Sequence, residues 1–375
     1  MIKVLSVIGT RPEAIKMGPV IRALSERRET FESKVCVTGQ HRQMLDQVLN
    51  LFQIVPDHDL DLMTPGQTLA RLTTSVIEGM DRVLHVERPD WVLVQGDTTT
   101  VMATALAAAY RKVKVGHVEA GLRTYEKNHP FPEEINRRVA SVVADLHFAP
   151  TSRAAENLLR EGVPPGTVRV TGNTVIDAIQ WVAAGDPEPS QRLHENHGLV
   201  KPVQRIILVT AHRRESFGRG IEQVCEALRE IVANHLDVEL IYPVHPNPNV
   251  HEPVYRLLDG VSGITLLPPL DYLSFVRLIR RSFFVITDSG GLQEEAPGLG
   301  KPVLVLRETT ERPEGVDAGT VRLVGTDRAR IVAEASRLLT DPAAYAAMAR
   351  SINPYGDGHA AGRIVDALRW ATIGG

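Results

Sequence analysis

Cysteine is nearly missing from this chain: Cys36 and Cys225 are the only two among 375 residues. Each lies in an apolar segment, so no disulfide framework or thiolate metal cage can be built from them. They read as small core residues of a protein kept in a reducing compartment. An excess of one charge is missing too, and a net charge of −3 argues against a general nucleic-acid surface. No apolar run approaches the roughly 20 residues that a membrane-crossing helix needs. The opening residues, Met1-Ile-Lys-Val-Leu-Ser-Val-Ile, read as a first strand without a charged leader or cleavage site, so a cytoplasmic enzyme is expected. There are no internal repeats and no low-complexity tract. Two phosphate fingerprints are also absent. The turn after the first strand offers Gly9 where a nicotinamide site needs G-x-G-x-x-G, and Lys301 is followed by Pro302 instead of completing a P-loop. No spacing of His, Cys and carboxylates asks for a metal.

What is present is alternation. Short β-branched runs recur at Ile2–Ile8, Ser33–Thr38, Trp91–Val94, Val115–Val118 and His147–Ala149. A second series follows at Arg205–Thr210, Glu239–Pro243, Ile264–Leu267, Phe283–Thr287, Val303–Leu306 and Val321–Leu323. Amphipathic patterns such as Glu13–Arg28, Thr98–Tyr110, Glu134–Asp145 and Gly220–Asn234 lie between them. This is the βαβ signature of parallel, doubly wound sheets. The length exceeds one ordinary core, and a polar stretch near Gly185 to Pro202 divides the two series. The expected fold is therefore α/β, two Rossmann-like doubly wound domains facing a central cleft. Residues 1–180 form the first domain and 200–355 the second, with a closing helix at about 358–375 packing back on the first. Ligands in such sheets bind at the carboxyl ends of the strands.

The polar residues cluster at those strand ends. Thr287 to Pro302, T-D-S-G-G-L-Q-E-E-A-P-G-L-G-K-P, couples a buried strand to a helix start through two glycines, an arrangement suited to phosphate oxygens. Either Glu294 or Glu295 suits a bidentate grip on ribose hydroxyls. The bland reading is an ordinary strand–helix turn. After the first strand, Thr10, Arg11 and Lys16 face an anionic ligand or simply cap and solvate a helix. Gln40, Gln43 and Arg71 are possible ligand contacts. Asp59-Leu60-Asp61 weakly resembles a metal-binding D-x-D. Asp97 ends a buried strand and either caps the following helix or works as a carboxylate. Glu119 ends the next strand, and Pro132 aims Glu133 or Glu134 off a helix start. Three acids at neighbouring points of one rim raise one another's pKa values, which lets one act as acid and another as base. In the second domain, His212 beside Arg213 and Arg214 suits a departing phosphate or a proton transfer. His245 lies in a rigid polar turn. The charged run Arg307 to Gly315 is either a ligand-contacting or a solvated loop.

Taken in order, G-T-R-P-E-A-I-K, Q-G-D-T-T, H-V-E-A-G-L-R-T, P-F-P-E-E-I-N-R, T-G-N-T-V-I-D-A, T-A-H-R-R-E-S and T-D-S-G-G-L-Q-E-E resemble the UDP-N-acetylglucosamine 2-epimerases of the bacterial non-hydrolysing branch. The match runs from the first strand past Gly315. The resemblance implies a glycosyltransferase-B-type fold, with UDP held mainly by the C-terminal domain. It implies reversible interconversion of UDP-N-acetylglucosamine and UDP-N-acetylmannosamine, feeding cell-surface polysaccharide synthesis, in a homodimer without NAD or metal. Carried over by motif, Asp97, Glu119, Glu133 and His212 are the catalytic set. Arg11, Lys16, Arg213, His245, Ser289, Gly290, Gly291 and Glu295 fall on substrate or nucleotide contacts. Gln40, Gln43, Arg71, Glu134, Arg213 and His245 resemble an allosteric pocket for a second UDP-N-acetylglucosamine.

Chemistry narrows the mechanism separately. The hydrogen on sugar carbon 2 has no neighbouring carbonyl, so a base alone cannot remove it at neutral pH. Breaking the bond from carbon 1 to the UDP oxygen develops positive charge at carbon 1 and acidifies that hydrogen. Elimination to 2-acetamidoglucal and re-addition is the expected route, with domain closure keeping water out. A hydrolysing relative or a retaining glycosyltransferase on the same architecture is the alternative.

Overall fold

The computed structural model describes residues 1–39, 42–62, 64, 66–185 and 205–374, with the backbone alone at 42–44. Gln40 and the dividing stretch near Gly185 to Pro202, apart from Gly185 itself, lie outside these residues, as does the side chain of Gln43. The chain forms two compact units, Met1–Ala178 with Tyr355–Gly375, and Ile179–Pro354.

The first unit carries seven parallel strands: β1 Ile2–Ile8, β2 Phe31–Val37, β3 His58–Asp59, β4 Trp91–Gln95, β5 Lys114–Val118, β6 Leu146–Ala149 and β7 Val168–Val170. Their order is β3-β2-β1-β4-β5-β6-β7. The middle strands are apolar on both faces because helices cover both; Val92, Leu93, Val115 and Phe148 are fully buried. The two edge strands escape sequence reading because each is too short, at two and three residues, to show a period. The second unit holds β8 Arg205–Thr210, β9 Val238–Pro243, β10 Ile264–Leu267, β11 Ser282–Thr287, β12 Val303–Val305 and β13 Val321–Leu323. Here the parallel order is β10-β9-β8-β11-β12-β13, over a core that includes Ile207, Val209, Leu240, Phe284 and Ile286.

Each order reverses direction once, between β1 and β4 in the first unit and between β8 and β11 in the second. Beyond the carboxyl ends of such a pair, the loops leave in opposite directions and open a crevice. The turns after β1 and β4, and after β8 and β11, therefore sit at two topological switch points, one per unit.

Local signals explain the helix starts. Thr10 and Glu13 form a capping box ahead of the helix Arg11–Ser25, which has Pro12 in its first turn. The C-terminal helix Ala360–Ile373 belongs to the first unit. Asp177 receives the backbone N–H groups of Ala360 and Ala361, the Trp91 indole donates to Thr372, and Arg27 pairs with Asp366. Among the described residues no helix is long and apolar enough to cross a membrane.

Candidate active site

In the first unit the site grows from three strand ends. Beyond β1, the backbone of Gly9 runs so close to the helix after β4 that an added Cβ would lie 2.6 Å from Thr100 Oγ1. Glu13 is buried and accepts the N–H groups of Gly9 and Thr10. Burial pushes its carboxyl up to about 7 despite those hydrogen bonds.

Beyond β4, the helix Thr99–Tyr110 takes its N-cap from Thr98, whose hydroxyl accepts the Val101 N–H. The capping alternative for Asp97 thus falls to its neighbour. Asp97 instead pairs with Arg137 at 2.7 Å, and its carbonyl accepts from Asn136 Nδ2 at 2.9 Å. Both partners lie in the helix Glu133–Val143, so this helix start is tied directly to the Asp97 turn. His117 Nε2 holds the adjacent Gly96 carbonyl at 2.7 Å, and burial lowers that imidazole to about 4.

Glu119 follows β5 with φ at +63°, a left-handed conformation that costs a non-glycine residue roughly 1 kcal/mol or more and that tends to mark functional turns. Its carboxylate is buried and held from several sides. Lys16 Nζ grips both oxygens at 2.7 and 2.6 Å, Asn173 Nδ2 donates at 3.2 Å, and Gln95 Nε2 donates as well. An ammonium and two amides fix this group as an anion, which is the form that accepts a proton. Glu133 differs: its Oε2 is buried and has no hydrogen-bond partner among the described residues. Glu134 is buried and engaged, taking the N–H groups of Thr124 and Tyr125 and the guanidinium of Arg137. Arg11 lies partly buried in the first helical turn, and Arg71 stands exposed at the start of the helix Leu69–Glu87. Gln43 falls in the helix Arg42–Leu51. The Asp59–Asp61 pattern makes a local turn, with the Asp61 N–H donating to Asp59 Oδ1.

In the second unit, β8 and β11 meet through Thr210 and Thr287, whose hydroxyls lie 2.6 Å apart. Beyond them Asp288 is fully buried. Its Oδ2 accepts the backbone N–H groups of His212 and Arg213 at 2.6 and 2.7 Å, and its Oδ1 lies 3.1 Å from His212 Nδ1. Tyr242 donates its hydroxyl to the Ala211 carbonyl, fixing the same turn from β9. The His212 ring stacks on His245 with centroids 5.4 Å apart. His245 Nδ1 accepts the Asn247 N–H, which leaves Nε2 as the protonated nitrogen of the neutral ring. Burial, reinforced by His212, lowers the pKa of His245.

Ser289, Gly290 and Gly291 lead into the helix Leu292–Gly298. A Cβ at Gly290 would lie 3.0 Å from the Arg312 guanidinium, so glycine permits that cation to approach the backbone. Arg312 Nε in turn donates to Glu294 Oε1 at 2.6 Å. Of the two adjacent glutamates, Glu294 is thereby tied to arginine, while Glu295 starts one position further on, against Gly291. The charged run after β12 is anchored and not simply solvated: Arg307 pairs with Glu215, and Thr310 donates to Gln293. Sequence reasoning did not single out Asp288, Arg312, Arg137 or Asn173. Asp288 stands at a strand end inside the T-D-S-G-G stretch, and Arg312 lies in the charged run read as ligand-contacting or solvated.

Buried carboxylates at one switch point and a carboxylate-backed histidine beside a glycine turn at another define an α/β enzyme of two Rossmann-like units. The comparisons with known proteins agree. The family model for UDP-N-acetylglucosamine 2-epimerase matches residues 22–369. The UDP-N-acetylglucosamine 2-epimerase of Escherichia coli K12 is 55% identical over 98% of both chains, and that of Campylobacter jejuni is 50% identical over 98% of this chain and 97% of its own. A UDP-GlcNAc 2-epimerase from Neisseria meningitidis, solved bound to UDP-GlcNAc, superposes with a TM-score of 0.89 at 48% identity, covering 98% of this chain and 99% of that one. The chain belongs to the UDP-N-acetylglucosamine 2-epimerase family.

Proposed function

We propose that this epimerase interconverts UDP-N-acetylglucosamine and UDP-N-acetylmannosamine by eliminating UDP to 2-acetamidoglucal and adding it back. The observation that carries the reading is the carboxylate set of the first unit: Glu119 paired with Lys16, Asp97 paired with Arg137, and Glu133 with a buried oxygen that has no hydrogen-bond partner among the described residues. Inversion needs a proton removed from one face of carbon 2 and another delivered to the opposite face. Two positioned carboxylates supply this, whereas glycosyl transfer has no use for several acids there. The electron pair of the C2–H bond becomes the C1–C2 double bond as the C1–O bond breaks, and the UDP oxygen leaves with its own pair. The second unit, with His212, Ser289, Gly290, Gly291 and Glu295, takes the nucleotide diphosphate and ribose. UDP-GlcNAc in the Neisseria relative and UDP in the Staphylococcus aureus relative support a UDP-sugar as the ligand.

This scheme balances without a redox cofactor and without a metal. Unpaired buried thiols at Cys36 and Cys225 fit a reducing, cytoplasmic setting, and the family resemblance supports a homodimer. Incubation with UDP-N-acetylglucosamine in heavy water without an acceptor tests the proposal. Deuterium at carbon 2 of a sugar still joined to UDP is the expected product. Accumulation of free N-acetylmannosamine with UDP would assign the hydrolysing reaction instead, and unchanged substrate would overturn the epimerase mechanism.

A further inference from the structure

The second unit contains a buried acid that the reaction scheme above leaves without a role. Asp288 is fully enclosed, and a carboxylate taken out of water persists only where donors replace the lost hydration. Oδ2 has two such donors, the backbone N–H groups of His212 and Arg213. Oδ1 faces His212 Nδ1 at 3.1 Å, the ring nitrogen placed to donate to it.

We infer that Asp288 is a positioning residue for His212: it holds the imidazole with its proton on Nδ1 and turns Nε2 to the leaving diphosphate. The inference rests on the proposed epimerase reading for the identity of that diphosphate, but the dyad itself does not depend on it.

The geometry supports this beyond the single contact. The same carboxylate binds the backbone of the residue whose ring it faces, so ring and main chain are fixed together. Tyr242 holds the preceding carbonyl, and the ring packs flat on His245, so rotation about the side-chain bonds is restricted. A proton on Nδ1, shared with the carboxylate, leaves Nε2 to face the ligand, and when the ring carries a second proton there the anion stands behind its charge. Although burial works against it, His212 and the two N–H groups hold the Asp288 carboxyl below its usual range, so the acid stays charged behind the ring. As the C1–O bond breaks, the ring in its doubly protonated form donates a hydrogen bond from Nε2–H to the diphosphate oxygen that receives the electron pair. No proton is transferred to it, and the same bond serves in reverse on re-addition.

Asp288→Asn separates orientation from packing. The amide oxygen can keep both backbone N–H bonds, and its NH2 then faces Nδ1 and forces that nitrogen to accept. The test uses the full chain with 15N-labelled histidine. In the wild type the His212 signal is expected to show Nδ1 protonated, with Nε2 shifting on addition of UDP; in Asp288→Asn the proton moves to Nε2. The variant's neutral ring keeps an Nε2–H donor but has no anion behind it, so the epimerisation kcat should fall roughly a hundredfold or more, with UDP affinity changed less than about tenfold. A wild-type His212 protonated on Nε2 alone would overturn the inference even if the variant fails to fold. So would an Asp288→Asn enzyme of normal kcat. A correct tautomer in a chain that neither binds UDP nor epimerises would leave the dyad standing and overturn the assigned substrate.

Discussion

Replacing Lys16 with methionine removes the ammonium from Glu119 while keeping most of the aliphatic stem. The pair is largely enclosed, with the Glu119 side chain 3% and the Lys16 side chain 18% exposed. Removing one partner of such a pair costs about 3–5 kcal/mol, because the remaining charge is left buried. Gln95 and Asn173 still donate to the carboxylate, and a hydrogen bond to a charged group contributes about 1.5–3 kcal/mol. The loss should therefore sit near the lower limit, at about 3 kcal/mol. Glu119→Gln takes the carboxylate from the lysine instead, and the double variant removes both charges. A double-mutant cycle in denaturant unfolding should give a coupling of about 2 kcal/mol between the two positions. Deuterium exchange at carbon 2 should drop by roughly a hundredfold or more in Lys16→Met, as expected when an acid–base group loses its working ionisation state. The reasoning is refuted if the coupling is zero and Lys16→Met only raises KM, which would make Lys16 a nucleotide contact alone.

Four further outcomes follow from the geometry. Asp97→Asn and Glu133→Gln should each lose exchange by about 10²–10⁴-fold while retaining UDP affinity, checked by mass spectrometry and calorimetry. Glu13, with its carboxyl raised to about 7 from an ordinary 4.5, binds a proton in the folded chain that the unfolded chain has released, so its contribution is present at low pH and is lost as pH rises from 4.5 to 7. Glu13→Gln should flatten that decline, gaining about 3 kcal/mol relative to the wild type between pH 5 and pH 8 in paired unfolding curves. Gly121→Ala places a Cβ 2.2 Å from the Ala154 carbonyl at a φ of +91° and should destabilise the first unit by about 3 kcal/mol or more on thermal unfolding.

The alternation of strands and helices was legible because parallel strands covered on both faces are continuous apolar runs, and eleven such runs stand out in the sequence. The strand-end turns were legible for the same reason, since each polar stretch interrupts one of those runs. What the chain does with those polar groups was not. Whether Asp97 or Thr98 caps the next helix depends on which side chain reaches the Val101 N–H, and both residue types suit the position. The partners of Glu119 and His212 lie 103 and 76 residues away, joined only when β1 and β5 flank β4 and β8 meets β11. Lys16 reads locally as a helix-start cation facing an anionic ligand; the fold shows the anion at hand to be a side chain of the protein. Arg312 reads as one charge in a charged loop, and only the close approach to Gly290 reveals its place.

The central claim is that the bond between carbon 1 and the UDP oxygen breaks and reforms in every inversion. UDP-N-acetylglucosamine carrying 18O in that bridging position tests it directly. With the bond broken, the β-phosphate rotates before re-addition, and the label is predicted to spread into non-bridging positions of recovered substrate. Label that stays wholly in the bridge while carbon 2 inverts would contradict the account.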